Sequence, residues 1–424
     1  TLRAEEGEEC AVLWLRRSGL ADSEGVKVKL SLVAGLWDEN TLNQQESPDA
    51  PVVRCLWRMS QEKRRRLWME IQPELRLQEL ELGGERKGTK CPVGDDEIRL
   101  LCPNRSALQD LRTLFLCCTT NLSDRGLYAL AEAGCGAHLT SLTLDNLGGG
   151  VTDEGLQNLA LEGCGAQLTS LTLRGLREGV TDSGLRALAS AGCGAKLESL
   201  TLYGLLHGVT DSGLCALASA GCGAQLTSLS LSFLYAGVTD AGIRALALSS
   251  CGAKLTSLTL RQLHSGVTDG ALIALASAGC GSRLASLTLQ GLKEGVTDGG
   301  LCALATARCG PLLTSLHLDS LQKGVSDNGL RALALAGCGA QLTCLCLRDL
   351  GDGVTDAGLH SLAESGCGSN LSSLTLWELQ QGVTDDGICA LASAGCGEHL
   401  ISLCFVDLKE GVTEHCLRPL ALAG

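Results

Sequence analysis

A cysteine recurs every 29 residues. Cys135, Cys164, Cys193, Cys222, Cys251, Cys280, Cys309, Cys338, Cys367 and Cys396 stand at constant intervals, and the same ruler carries Asp124, Asp153, Asp182, Asp211, Asp240, Asp269, Asp298, Asp327, Asp356 and Asp385, with Glu414 in the next place. A fixed period of this length marks a chain built from stacked copies of one supersecondary unit, not from a few large cores. Only 3% of the 424 residues are aromatic while 54 are glycine, which fits many thin layers.

Within a unit, Leu168, Leu171 and Leu173 follow L-x-x-L-x-L, and the last two alternate as a short strand with one buried face would. Leu176 closes the strand's exit. Thr181 or Asp182 can then accept from the free amides of a helix start. Leu185, Leu188 and Ala189 fall at i, i+3 and i+4, one apolar helical stripe that also carries Cys193 inward. Each unit therefore reads as strand, loop, short helix and turn, and none can bury its apolar face alone. Parallel strands stack about 4.8 Å apart while the bulkier helices need more room. The expected fold is an α/β solenoid, a curved horseshoe with a parallel sheet on the concave face and short helices on the convex face.

These motifs resemble leucine-rich repeats. Leu-Ala with Cys at the helix end, as in LRALASAGC (Leu185 to Cys193), is similar to the cysteine-containing subtype common in F-box proteins, and the 29-residue length with T-D-x-G-L is similar to the ribonuclease-inhibitor type. The AGCGAxLTSLTL wording resembles leucine-rich repeat families of trypanosomatid protozoa. The resemblance covers about three quarters of the chain and implies the horseshoe fold and protein binding.

Domain organisation follows. Residues 1–72 do not match the ruler and form an N-terminal non-repeat capping region: VKVKLSLV (Val26 to Val33) alternates as a strand, and VVRCLWRM and SQEKRRRLWMEI read as helical pieces offering Trp57 and Trp68 to the first open repeat. Residues 73–424 are repeats, irregular to about 112, where LQELEL and LRTLFL lie 34 residues apart with a helix expected over Asp95 to Leu101. Regular units follow. The chain lacks an initiator Met and ends at a unit boundary, so a processed start and a shortened end are expectations.

A net charge of −13 lacks the basic stripe that phosphate neutralisation requires, so direct nucleic-acid binding is not expected. No apolar run is long enough for a membrane span. Equal spacing without C-x-x-C makes the ladder cysteines equivalent, as core filling requires and a disulfide framework does not. Buried free thiols favour an intracellular reducing compartment, the cytoplasm first.

Four patterns were weighed for chemistry. Cys344 and Cys346 share a strand face with His317 in the matching column, a zinc corner without a fourth ligand, and a column of small residues is the better reading. GGERKGTK (Gly83 to Lys90) lacks a lysine directly after its last glycine, so it is not a phosphate loop. KRRR (Lys63 to Arg66) reads as a solvated helix face, and the repeated aspartates as helix-start acids instead of calcium ligands. No nucleophile elbow or triad is visible. The expectation is a non-enzyme with no cofactor and no metal.

What varies between units is the position just after each strand: Asp145, Arg174, Tyr203, Ser232, Arg261, Gln290, Asp319, Arg348, Trp377, Val406. The next column adds Asn146, Phe233, Gln262, Asp349, Glu378 and Asp407. Free drift in solvent favours Lys and Glu over Trp377, Phe233, Tyr203 and Tyr235. Arg, Tyr and Trp dominate interface energetics. Arg174, Tyr203, Phe233, Tyr235, Arg261, Gln290, Asp319, Arg348 and Trp377 are therefore the expected partner-binding residues, in a scaffold that holds a protein along its concave face and ascending loops; a place as subunit of a larger assembly is a further expectation. The alternative is the sensing domain of a larger enzyme or of a ubiquitin-ligase substrate receptor.

Overall fold

The computed structural model describes residues 10–17, 27–35, 52–56, 76–84, 94–102 and 108–422, apart from short gaps, mostly in loops, at 120, 177–178, 207, 236, 250–253, 264–265, 281, 293–294, 322–323, 380–381 and 409–410. The chain divides into two compact units, Thr1–Leu197 and Glu198–Gly424.

In the second unit the strands β8 (Ser199–Tyr203), β9 (Ser228–Ser232), β10 (Ser257–Arg261), β11 (Ser286–Gln290), β12 (Ser315–Asp319), β13 (Cys344–Arg348), β14 (Ser373–Trp377) and β15 (Ser402–Val406) lie side by side in chain order. All pairs are parallel and in register, so Ser257 faces Ser286 and Arg261 faces Gln290. A nine-residue helix such as Asp240–Leu248 separates most successive strands. This is an α/β solenoid, as the period predicts, and the first unit repeats it through β4 (Arg76–Gly84), β5 (Thr113–Cys117), β6 (Ser141–Asp145) and β7 (Ser170–Arg174).

Packing explains the pattern. Leu226, Leu229, Leu231, Leu234, Ile243 and Leu246 of one layer are wholly buried, and each such side chain contributes about 1.5–3 kcal/mol of hydrophobic stabilisation. Nine of the ten ladder cysteines are buried at 0% exposure, and the tenth, Cys251, lies outside the described residues. Burial pushes the Cys193 and Cys367 thiols up to about 12. The sulfur of each layer is thus packing material, held as a neutral thiol.

The aspartate ladder does more than start helices. Thr181 is the N-cap: its hydroxyl accepts from the Ser183 amide at 3.1 Å. That hydroxyl also donates to Asp153 Oδ2 of the preceding layer at 2.6 Å, while Asp153 Oδ1 accepts from the Thr181 and Gly184 amides at 2.7 and 2.9 Å. One carboxylate therefore satisfies three donors of the next helix start, which would otherwise be orphaned. A Cβ at Gly184 would lie 2.6 Å from Asp153 Oδ1, which explains the glycine of T-D-x-G, although Ala271 is accommodated at the same place in another layer. The clasp begins at Asp95, which accepts from Ser123 and stands 29 residues before Asp124. The irregular repeat is on the ruler at its helix, which spans Asp95–Leu101 as expected.

The N-terminal segment differs from its reading in one respect. KVKLSLV, from Lys27, lies in a strand, β2 (Lys27–Gly35), but VVRCL is not helical: it forms β3 (Val52–Leu56), antiparallel to β1 (Cys10–Arg17), which in turn is antiparallel to β2. The adjacent β-branched Val52 and Val53 favour the extended form. The sheet continues from β2 onto the repeats, since β2 pairs in parallel with β4. Trp57, Trp68, KRRR and most of GGERKGTK lie outside the described residues.

Candidate partner-binding surface

The end of each strand fixes where the variable side chains go. Immediately after the strand, one residue per layer takes the left-handed conformation: Cys118, Asn146, Gly175, Gly204, Phe233, Gln262, Gly291, Ser320, Asp349, Glu378 and Asp407 all have φ between +48° and +67°. The cause is the ladder itself. The amide of this residue still donates to the last carbonyl of the next strand, as Phe233 N does to Arg261 O at 2.9 Å and Gln262 N to Gln290 O at 2.7 Å. Glycine takes this conformation freely, whereas a residue with Cβ loses about 1–2 kcal/mol there. Gly204 and Gly291 are the relaxed solution, and Asn146 and Asp349 the tolerated one. Phe233 is neither.

Around Phe233 the second unit carries an aromatic cluster. Its ring centroid lies 5.0 Å from that of Tyr203, tilted by 57°, and 6.2 Å from that of Tyr235, edge-on. The Arg261 guanidinium stands 5.8 Å over the Phe233 ring. Tyr235 is 40% exposed and Arg261 is exposed, so the cluster presents aromatic and cationic surface together. Arg–aromatic and aromatic pairs of this geometry hold side chains in one arrangement before a partner arrives, which lowers the entropy cost of binding.

A second cluster centres on Asp319. Its carboxylate is 2% exposed and accepts from Gln290 Nε2 at 2.7 Å and from Ser320 Oγ at 2.8 Å. Arg348 Nε lies 3.8 Å from Asp319 Oδ1, and the Arg348 guanidinium stacks 4.0 Å over the Trp377 ring. Asp319 therefore orients Arg348 from beneath, while Arg348 and Trp377 meet solvent. The indole Nε1 of Trp377 is buried and has no hydrogen-bond partner among the described residues. Ser232 in the same column is buried as well, at 2%.

In the first unit, Arg174 is 46% exposed and lies 3.7 Å from Asp145 Oδ2, and Asn146 Nδ2 donates to Asp145 Oδ1 at 2.9 Å. Burial raises the Asp145 carboxyl and the Arg174 charge opposes that rise.

The zinc-corner residues do meet in part. Cys346 Sγ lies 3.6 Å from His317 Nε2, and Asp319 Oδ2 lies 3.8 Å from the same nitrogen. A nucleophilic triad engages thiol and carboxylate on opposite ring nitrogens; here both face one. Burial and the Asp319 charge push the Cys346 thiol up to about 11, away from a reactive thiolate. Desolvation lowers His317, with Arg261 lowering it further against the pull of Asp319. Among the described residues no group of three His, Cys, Asp or Glu is arranged to hold a metal ion.

Sequence reasoning had placed the two variable columns but not their backbone state. The signal was present: Gly, Asn, Asp and Ser take seven of the eleven places in one column, the signature of a left-handed position. The support role of Asp319 and the burial of Ser232 carry no such signal, because they depend on which neighbours lean over them.

Neither a protein-family model nor a curated protein matches this sequence. Solved structures do. A chain of the Rad7 and Elc1 complex from yeast is similar over 84% of this chain and 86% of its own, at 20% identity and a TM-score of 0.53. The leucine-rich repeat-containing protein LegL7 from Legionella pneumophila is similar over 68% of this chain and 91% of its own, at 18% identity and a TM-score of 0.36. The likeness to the yeast chain is one of fold, an α/β solenoid of stacked strand and helix units. No helix among the described residues is long and apolar enough to cross a membrane.

Proposed function

We propose that the chain is a protein-interaction scaffold, not an enzyme, that holds a protein partner along the strand-exit loops and the sheet face beside them. The observation that carries this reading is Phe233, a bulky aromatic held at φ +56° where three other layers use glycine and none another aromatic, and packed into an aromatic–arginine cluster at the surface. Backbone strain at a surface position persists where it serves display. The hot-spot residues of the second unit are Tyr203, Phe233, Tyr235, Arg261, Arg348 and Trp377, with Gln290 and Asp319 positioning Arg348; in the first unit, taken by itself, Arg174 is the proposed contact. The yeast neighbour was solved as a complex of two proteins, which accords with a binding role. Within the leucine-rich repeat class, the cysteine-containing or ribonuclease-inhibitor-like subtype and the trypanosomatid wording are part of this proposal. So are a cytoplasmic, reducing location, supported by the buried free thiols, and membership of a larger assembly. Residues 1–72 are proposed to cap the first repeat.

The test is proximity labelling or co-purification with the intact gene product and with a variant carrying Tyr203→Ala, Phe233→Ala, Arg261→Ala and Trp377→Ala. A partner recovered with the native chain and lost from the folded variant supports the reading. Recovery of the same partner with both would refute this surface.

A further inference from the structure

Cys117 and Cys118 depart from every other cysteine described above. They are adjacent in sequence, both are partly exposed, and their sulfurs lie 3.4 Å apart. Neighbouring side chains in a strand point to opposite faces, so two consecutive cysteines at the end of β5 would ordinarily hold their sulfurs apart. The left-handed turn at Cys118, φ +56°, removes that separation. It is fixed by the ladder, because the Cys118 amide donates to Asp145 O at 2.9 Å. The turn that displays Phe233 in the second unit here sets two thiols side by side.

We infer that Cys117 and Cys118 form a vicinal dithiol that hydrogen peroxide oxidises reversibly to a disulfide, a modification site on the first unit. The step balances. The Cys118 sulfur attacks the peroxide, the O–O bond breaks, and Cys118 sulfenic acid and water form. The Cys117 sulfur then attacks the sulfenic sulfur; the S–S bond forms, the S–O bond breaks, and hydroxide leaves with the Cys117 proton as a second water. The two thiols lose two electrons and the peroxide gains them.

The order of events follows from the surroundings. Burial, the contact from Cys118 and the nearby Asp145 charge push the Cys117 thiol up to about 12, so Cys117 is the resolving group and Cys118 meets the oxidant. The product is readily reversed. Adjacent Cα atoms stand about 3.8 Å apart, closer than the roughly 4.4–6.8 Å of ordinary disulfides, and a strained disulfide is easily reduced. The dithiol is therefore the resting form in a reducing compartment. The nine described ladder thiols, at 0% exposure, are out of the oxidant's reach.

The experiment uses the full chain, reduced and freed of reductant, then treated with a few equivalents of hydrogen peroxide, alkylated and digested. The peptide containing Cys117 and Cys118 is expected to lose two hydrogens and to resist alkylation, and dithiothreitol should restore both thiols. Cys117→Ser is expected to leave Cys118 as a trappable sulfenic acid. Peptide from the native chain carrying oxidised Cys118 beside alkylated Cys117 would overturn the inference. A second measurement needs no variant. Phenylarsine oxide should bridge both sulfurs with loss of water, survive excess monothiol and be released by a dithiol; an arsenical lost to monothiol would show two sulfurs that touch but do not act together.

Discussion

The interior of the layers and their strand-exit edge are built from the same backbone and obey opposite rules. Inside, Leu200, Leu229, Leu258 and Leu287 occupy one column without change and are wholly buried. At the edge, Tyr203, Ser232, Arg261 and Gln290 occupy one column without repetition. An interior that must match the layers above and below admits one shape. The edge must only keep its amide ladder, and its side chains are free to differ. The contrast separates residues that hold the solenoid together from residues proposed to hold a partner, and it can be attacked from both sides.

The largest effect is expected in the interior. Leu229→Ala should cost about 2–5 kcal/mol, the range for truncating a buried leucine, read as a lower midpoint in chemical denaturation. Partner capture per folded molecule should not change. If Leu229→Ala leaves stability untouched, the layers do not share the continuous core that the burial describes.

Alkali should act on the interior. The Cys164, Cys193, Cys309 and Cys367 thiols are pushed up to about 12 from an ordinary value near 9. A group whose folded value is raised contributes stability fully below the unfolded value, and that stability is lost as pH rises toward the folded one. Between about pH 9 and pH 12, each such thiol should therefore withdraw about 1.4 kcal/mol per pH unit from the layers that unfold with it. Cys193→Ala should be less stable at pH 7 yet lose less on going to pH 10. An unchanged slope would place that sulfur in water.

The aspartate clasp lies between the two regions. Asp211 accepts from the Thr239 amide at 2.8 Å, its hydroxyl at 2.6 Å and the Gly242 amide at 2.9 Å. Asp211→Ala leaves three donors of the next helix start without that acceptor, and an expected loss of about 1–3 kcal/mol follows. Calcium should not change the native protein's midpoint; stabilisation by added calcium would mean the carboxylates bind an ion instead of amides.

Most of this division was legible in the sequence. Period, strand words, helix starts and buried cysteines all follow from residue types that recur, and recurrence is itself the signal. VVRCL misled because five residues cannot display a helical or a strand period clearly. Asp95 sat on the ruler unnoticed because the strand words on either side of it are 34 residues apart, not 29. The clusters at the edge were legible as positions but not as pairs. Nothing in Arg348 or Trp377 alone announces a stacked guanidinium, and nothing in Asp319 announces burial beneath it.

The smallest effect is the sharpest probe of the contrast. Phe233 takes a left-handed conformation that Asn146 takes in another layer at lower cost, since asparagine tolerates it. Phe233→Asn removes backbone strain and loses the ring contacts with Tyr203 and Tyr235, two terms of about 1 kcal/mol that oppose each other. Stability should therefore shift by less than about 1 kcal/mol in either direction, while partner capture falls at least tenfold, as for loss of an aromatic hot spot. A residue retained for packing would give the reverse, a destabilised chain that still captures its partner. Phe233 is the position where interior and edge make incompatible demands on one residue, so the variant reports which of the two the sequence serves.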